Sequence, residues 1–281
     1  MAKIALVTPV KDEIENLPRL IDSIESQSIR IYLWVIVEND SNDGSADFLK
    51  NIKKLNNVEN FHILTLSFIN KEYDIGFKYS KVVQHGFDFV KSSNYYKDLD
   101  YIGILDSDSF PEKDFYEKLI QFMNQNLKIG LTSGILLLEN GKKDFSNNDT
   151  IRGTGRLWSK KCFEESCCFY GLSPDAITKR KAEIRGWNPT VLTSAKFYSR
   201  EPNRRFSYEF HGKSAYYNGY KIHFVLLKAT FYLFKNKKYI FPYIKGYFSS
   251  YIKRNTKNPD HEIIDYNKKH LLRVIKKKFW K

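Results

Sequence analysis

Two carboxylates one residue apart, Asp106 and Asp108, close an apolar run that reads Tyr-Ile-Gly-Ile-Leu over residues 101–105. On extended backbone, residues i and i+2 point the same way, so both side chains can reach one cation. Hard carboxylate oxygens suit Mg2+ or Mn2+, and such ions in turn hold substrate phosphates. The apolar run has no polar alternation, which suits a strand buried on both faces of a parallel sheet. Open α/β sheets bind ligands outside the carboxyl ends of such strands. A polar turn, with Asp108 or Ser109 capping the next helix, is the plainer use of the same residues.

The surrounding pattern supplies the elements that would position this pair. Residues 3–8 and 31–37 read as buried strands. Between them Leu17, Leu20, Ile21 and Ile24 recur at i, i+3, i+4 and i+7, the spacing of an amphipathic helix. Asn16 can cap that helix, and Pro18 is tolerable in its first turn. Strand, helix and strand within about 35 residues form a βαβ unit with a right-handed crossover. Residues 38–45 are a polar turn cluster that also supplies caps for a helix from about Ala46. Residues 61–66 suit a third strand, and Val83, Phe87 and Val90 mark a helix before the Asp106 strand. Pro111, Glu112 and Asp114 start the next helix, whose buried face is Phe115, Leu119 and Phe122. Residues 129–138 return to strand. The alternation predicts a doubly wound α/β domain.

No G-x-G-x-x-G or G-x-x-x-x-G-K-[ST] follows any of these strands, which argues against a usual dinucleotide enzyme and a P-loop enzyme. Gly153-Thr-Gly155 reads as a loop or bulge. At 281 residues the chain can form one large domain, or one domain and an appendage. A strand-like run directly after Lys3 leaves no visible targeting segment. Cys162, Cys167 and Cys168 are three thiols within seven residues, which points to buried or incidental thiols in a reducing compartment.

In this order and spacing, three segments resemble the inverting GT-A glycosyltransferases of family 2. Thr8-Pro-Val-Lys-Asp-Glu-Ile-Glu-Asn-Leu is similar to that family's Pro-x-Tyr-Asn-Glu opening after strand one, with Lys11 in place of the common tyrosine. Val37-Glu-Asn-Asp-Ser-Asn-Asp-Gly-Ser looks like its Val-Asp-Asp-Gly-Ser-Thr-Asp-Gly turn, with Glu38-Asn39 as the usual acidic pair. Asp106-Ser107-Asp108 stands at the expected distance. The likeness spans roughly residues 3–125. It implies a GT-A type, doubly wound, mostly parallel sheet flanked by helices, and a nucleotide-sugar donor. Pro9, Glu13 and Asn39 would sit around the nucleoside, with Ser107 also on the donor side. Asp106 would contact ribose or metal, and Asp108 the Mn2+ or Mg2+ on the diphosphate. UDP, GDP and dTDP donors all stay open. Turn formation and capping are as good an account of Asp40 and Asp43 as donor contact.

An inverting transferase needs a carboxylate that takes the acceptor hydroxyl proton during attack on the sugar carbon. The family places it at a helix start, about eleven residues before a Gly-aromatic pair. Ser173-Pro-Asp175 and Gly186-Trp187 match that separation, which implies Asp175 as the base. Glu164 and Glu165 are the fallback. Arg152, Arg156 and Trp158 lie where acceptor contacts are expected, although a buried Trp and surface arginines explain them as well. His211, in Tyr208-Glu-Phe-His-Gly-Lys, matches a late loop that some members bring to the metal, and Lys213 and Arg200 are counterparts for the diphosphate.

Residues 222–281 hold fifteen Lys and Arg against three Asp and Glu, a net +12 of the chain's +14. Apolar and aromatic blocks at 222–234 and 239–252 alternate with lysines, and residues 268–281 repeat the pattern. Neither block has the roughly 20 residues needed to cross a bilayer. Such segments suit helices lying in a membrane interface, with cations on anionic lipids. An ordinary helical pair with solvated cations is the plainer account. No recognised nucleic-acid motif accompanies the basic tail.

The reading is therefore a catalytic domain over residues 1–221, with a nucleotide-sugar half (1–125) and an acceptor half (126–221). A basic, aromatic, helical tail follows over 222–281. The expected activity is a metal-dependent inverting hexosyltransferase. It would use a glycan or lipid-linked acceptor and sit peripherally at the cytoplasmic face of an anionic membrane, with no nucleic-acid partner. A nucleotidyltransferase also uses a sheet-end Asp pair, but it normally has a Gly-rich phosphate loop after strand one, where residues 8–13 have none. A non-catalytic membrane or polyanion adaptor on a transferase scaffold is the rival from another class. Nothing in the sequence sets the oligomeric state.

Overall fold

Parallel strands covered on both faces are apolar along nearly their whole length, and β1 (Ile4–Val10) and β2 (Ile31–Glu38), with only Thr8 and Glu38 polar near their carboxyl ends, are the clearest cases. Ile4, Leu6, Trp34 and Ile36 point to one core layer, and Ala5, Val7, Val35 and Val37 to the other. The computed structural model describes residues 2–68, 75–138, 151–167, 169–199, 207–235 and 237–269. Residues 270–281, Arg200 and Cys168 fall outside them, and with them the last segment of the expected tail.

Helix α1 (Leu17–Glu25) links β1 and β2, and α2 (Ser45–Lys50) leads to β3 (Val58–Thr65). Next come α3 (Ile75–Ser92), β4 (Tyr101–Ile104), a three-residue β5 (Ser109–Pro111), α4 (Phe115–Gln125) and β6 (Leu131–Leu138). The chain continues through β7 (Arg156–Ser159), α5 (Lys160–Ser166), α6 (Pro174–Ile184) and β8 (Thr190–Ser199).

The eight strands form one sheet in the order β3-β2-β1-β4-β7-β6-β8-β5. The first four are parallel, with Val7 opposite both Val35 and Ile104, so their carboxyl ends share one edge. Beyond β4 the sheet is mixed. Strand β7 runs antiparallel to both neighbours, and its register sets Arg156 opposite Ile104. Leu17, Leu20 and Ile24 of α1 cover one face with α4. Val83, Phe87 and Val90 of α3 cover the other with Phe163. Cys162 is buried there, which pushes its thiol up to about 12 and leaves it inert at neutral pH.

Residues 1–170 and 174–201 form one compact unit, and 171–173 with 202–281 form a second. The second unit contains α7 (Tyr208–Tyr217), α8 (Ile222–Lys235), α9 (Ile240–Ile252) and α10 (His261–Lys268). The compositional boundary at 221/222 therefore falls inside it, because α7 packs against α9. The two helices cross at glycines: a Cβ on Gly212 would stand 2.0 Å from the Tyr243 carbonyl, and one on Gly246 2.0 Å from that of Glu209. Tyr243 and Tyr247 are buried on this seam, so that side of the 239–252 block is interior, while Phe241, Tyr251 and Ile252 are exposed. Residues 171–173 belong here through Ser173, whose hydroxyl lies 2.8 Å from that of Ser214, and Leu172, whose carbonyl accepts from Asn218 at 3.1 Å.

Candidate active site

At the carboxyl ends of β1 and β2, two polar turns are knitted into one wall. Asp12 and Asp40 both take the left-handed backbone conformation, which aspartate tolerates better than most residues. The Asp12 carboxylate accepts from the Asn42 backbone N–H at 2.7 Å, while its own N–H donates to the Ser41 hydroxyl at 3.0 Å. Glu13 is buried: its N–H donates to Ser45 Oγ, and its carboxylate accepts from the Asn16 amide. Glu38 is also buried and accepts from the Ser41 N–H at 2.6 Å.

Asp40 accepts from the Ser67 hydroxyl at 2.5 Å and the Phe68 N–H at 3.2 Å, which holds its carboxyl below the usual range. Asp43 accepts from the Ile14 and Ser45 backbone N–H groups. Both aspartates thus serve turn formation. Lys11 donates to the Asp40 carbonyl across the two turns. Pro9, opposite Val37, is part-buried at the edge of this wall. Asn39 differs from its neighbours. Its side-chain oxygen is buried and accepts from nothing among the described residues, an unusual state for a buried polar atom.

Asp106 and Asp108 follow β4 on the same edge, both part-buried, with Ser107 buried between them. The Asp106 N–H donates to Thr154 Oγ1 at 2.8 Å, and Asp106 Oδ1 accepts from the Tyr79 hydroxyl at 2.9 Å. Neither Asp108 nor Ser109 caps a helix. Ser109 starts β5, and the N-cap of α4 is Asp114.

The return strand β7 brings the acceptor-side segment to this pair. Gly153 lies beside Asp175, where an added Cβ would stand 3.9 Å from the Asp175 Cβ. The next residue, Thr154, holds Asp106. Gly155 takes the left-handed conformation in the bend that leads into β7. Arg156 is fully buried. Its Nη1 donates to the Asp175 carbonyl at 3.0 Å and the Thr178 hydroxyl at 2.8 Å, Nη2 to the Ile151 carbonyl at 3.3 Å, and Nε to the Arg152 carbonyl. Burial lowers the pKa of its guanidinium, and the charges of Asp175 and Asp106 oppose that. Trp158 is fully buried as well, so neither side chain presents an acceptor surface.

Asp175 is part-buried in the first turn of α6, which ends at left-handed Gly186. Burial and the charges of Asp106 and Asp175 together raise the Tyr79 hydroxyl well above its ordinary value. The two carboxylates thus act on one phenol. The fallback acids are engaged elsewhere: Glu164 accepts from Tyr96 and Glu165 from the Trp187 indole. His211 is exposed on α7 in the second unit, with edge contacts to Tyr208 and Phe210. Lys213 pairs with Glu209 at 3.5 Å.

Among the described residues no group of three or more His, Cys, Asp or Glu is arranged to hold a metal. An ion at Asp106 and Asp108 would complete its shell with phosphate oxygens and water, the usual habit of Mg2+ and its relatives. The donor set present fits such an ion. Tyr79 and Thr154 went unnamed in the sequence. A signal for Tyr79 existed, since it extends the Val83–Phe87 stripe by one turn and carries a polar tip.

Residues 5–206 match the profile described as Glycosyl transferase family 2. The crystal structure of S. aureus TarS superposes with a TM-score of 0.55 at 14% identity, over 76% of this chain and 39% of TarS. TarS 1-349 in complex with UDP-GlcNAc gives 0.53 at 12% identity, over 93% of this chain and 78% of that one. The mannosyltransferase PcManGT from Pyrobaculum calidifontis, in complex with GDP-Man and Mn2+, gives 0.53 at 13% identity, over 95% and 69%. This chain thus spans about two fifths of the TarS chain in the first of these structures. At these identities the likeness is one of fold, which is of GT-A type. No curated protein matches the chain significantly in sequence.

Proposed function

This chain belongs to glycosyl transferase family 2, and on that premise we propose a metal-dependent, inverting hexosyltransferase that uses a nucleoside-diphosphate sugar. The observation that carries the proposal is that residues 153–156 touch both segments: Thr154 accepts from the Asp106 N–H, and Gly153 and Arg156 lie against Asp175, which supports a donor-side and an acceptor-side carboxylate in one site. Asp106, Ser107 and Asp108 form the diphosphate end of the site. A bound Mn2+ or Mg2+ supplies neutralisation of the charge that develops on the departing diphosphate.

Pro9, Glu13 and Asn39 line the nucleoside end. The orphaned Asn39 oxygen suits a ring N–H beside a carbonyl, a group that uracil, thymine and guanine all carry. Asp175 takes the acceptor hydroxyl proton. The acceptor oxygen then forms its bond to the anomeric carbon as the carbon–phosphate-oxygen bond breaks, and the electron pair leaves with the diphosphate. Attack opposite the leaving group inverts the configuration. The role of His211 on the metal rests on the family likeness alone.

The basic second unit supports a peripheral place at the cytoplasmic face of an anionic membrane, and with it a lipid-linked or membrane-proximal glycan acceptor. Among the described residues no helix is long and apolar enough to cross a membrane.

Thermal shift and donor hydrolysis across UDP-, GDP- and dTDP-sugars, with and without Mn2+, test the enzyme reading. Stabilisation by one nucleotide that needs metal and is lost in Asp108→Ala supports it. A flat response to every nucleotide overturns it.

A further inference from the structure

The helices of the second unit are not equally covered. On α8, Val225 and Ala229 are buried against α9. Leu227 and Phe231 lie two residues further along, which on a helix is about 200° around, the opposite side. They are 51% and 57% exposed. Ile222 and Leu226 flank them, with Leu226 46% exposed. The outward side of α8 therefore carries two i, i+4 apolar pairs with only His223 and Thr230 among them, the reverse of an ordinary surface helix. The charge is just as one-sided. Residues 222–259 contain eight Lys and Arg and no Asp or Glu. Lys228 stands beside the apolar face, where it also covers the Tyr232 and Tyr243 rings. Lys237 and Lys238 follow directly in the turn to α9, and exposed Phe241 comes after them.

We infer that the outward face of α8 docks on an anionic lipid bilayer, with the helix lying in the interface. This names the contact surface within the membrane reading above and rests on that reading. An apolar side that water does not favour, bordered by Lys228, Lys237 and Lys238, is complementary to acyl chains beneath negative head groups. Fourteen residues make a helix of about 21 Å, enough to lie in the interface and too short to cross it. The assignment places the contact on α8, with exposed Phe241 of α9 beside it, while Tyr243 and Tyr247 of α9 are interior.

The full chain is tested by sedimentation with phosphatidylglycerol vesicles and with phosphatidylcholine vesicles. The expected result is binding to the anionic vesicles alone, weakened at least tenfold by the double variant Leu227→Glu/Phe231→Glu. Phe231→Trp keeps the side apolar and supplies a second readout. Its indole emission shifts to the blue with anionic vesicles and is quenched by brominated lipid. If wild type ignores both vesicles, the membrane reading falls and this face with it. If wild type binds but the double variant binds equally, and the indole stays in water, the α8 assignment is overturned while membrane binding stands. If wild type is dimeric without lipid and the double variant is monomeric, a second copy occupies the face, and the assignment is also overturned.

Discussion

Arg156 donates from Nη1 to the backbone carbonyl of Asp175, 3.0 Å away. The same guanidinium fastens the Ile151 and Arg152 carbonyls, so one buried side chain ties the loop behind Asp106 to the first turn of α6. A lysine cannot reproduce that fork. Arg156→Lys is expected to lower kcat by roughly 10²-fold, as small misplacements of a catalytic group do, while donor KM hardly moves. Arg156→Met leaves buried carbonyls unpaired and should cost about 1–3 kcal/mol of stability. Steady-state kinetics and thermal melts together separate the two effects.

Tyr79→Phe removes the hydroxyl that Asp106 accepts and nothing else. Hydrogen bonds to charged groups contribute about 1.5–3 kcal/mol, so nucleoside diphosphate affinity in Mn2+ should fall at least tenfold by calorimetry. Unchanged affinity would show that the phenol only fills space.

Asp175→Asn keeps shape and removes the base. Single-turnover rates should drop by about 10²–10⁴-fold with donor affinity preserved. A variant that transfers sugar at the wild-type rate would move the base role elsewhere.

Asn39→Ala deletes a buried acceptor that has no partner among the described residues. The ligand-free melting temperature should hold or rise, because an unsatisfied buried group costs about 1–3 kcal/mol. Stabilisation by the matching nucleotide should be lost. Opposite signs in one variant would be hard to obtain from mere unfolding.

His62 on β3 lies against Phe89 and Tyr95, and burial lowers its pKa from the ordinary 6.5. The folded state therefore binds its proton less readily than the unfolded chain does. Its contribution to stability is intact above about pH 6.5 and is lost as pH falls through the folded value. Thermal melts between pH 7.5 and 5 should show this slope, and His62→Gln should flatten it.

The strands that carry the site were legible because burial on both faces leaves β1, β2 and β4 apolar except for Thr8 and Glu38 near their carboxyl ends. Asp106 and Asp108 could be paired from their spacing alone. The short strands were not legible. β5 has three residues and β7 four, too few for a period to show, and their partners in the sheet define them. Tyr79 and Thr154 lie 27 and 48 residues from Asp106, a separation only the fold closes. Arg156 reads as a surface cation in sequence, because an arginine that satisfies itself on carbonyls needs no acidic partner nearby in the chain.

The second unit owns residues 171–173, separated from the rest of its chain by residues 174–201. The protein therefore has no single scissile point between its halves. A cut at residue 201 would strip Leu172 and Ser173 of Asn218 and Ser214, immediately before the helix that bears Asp175. Exchanging tails between relatives would require transplanting two separate stretches together, so this region should be inherited as a matched set rather than as an add-on.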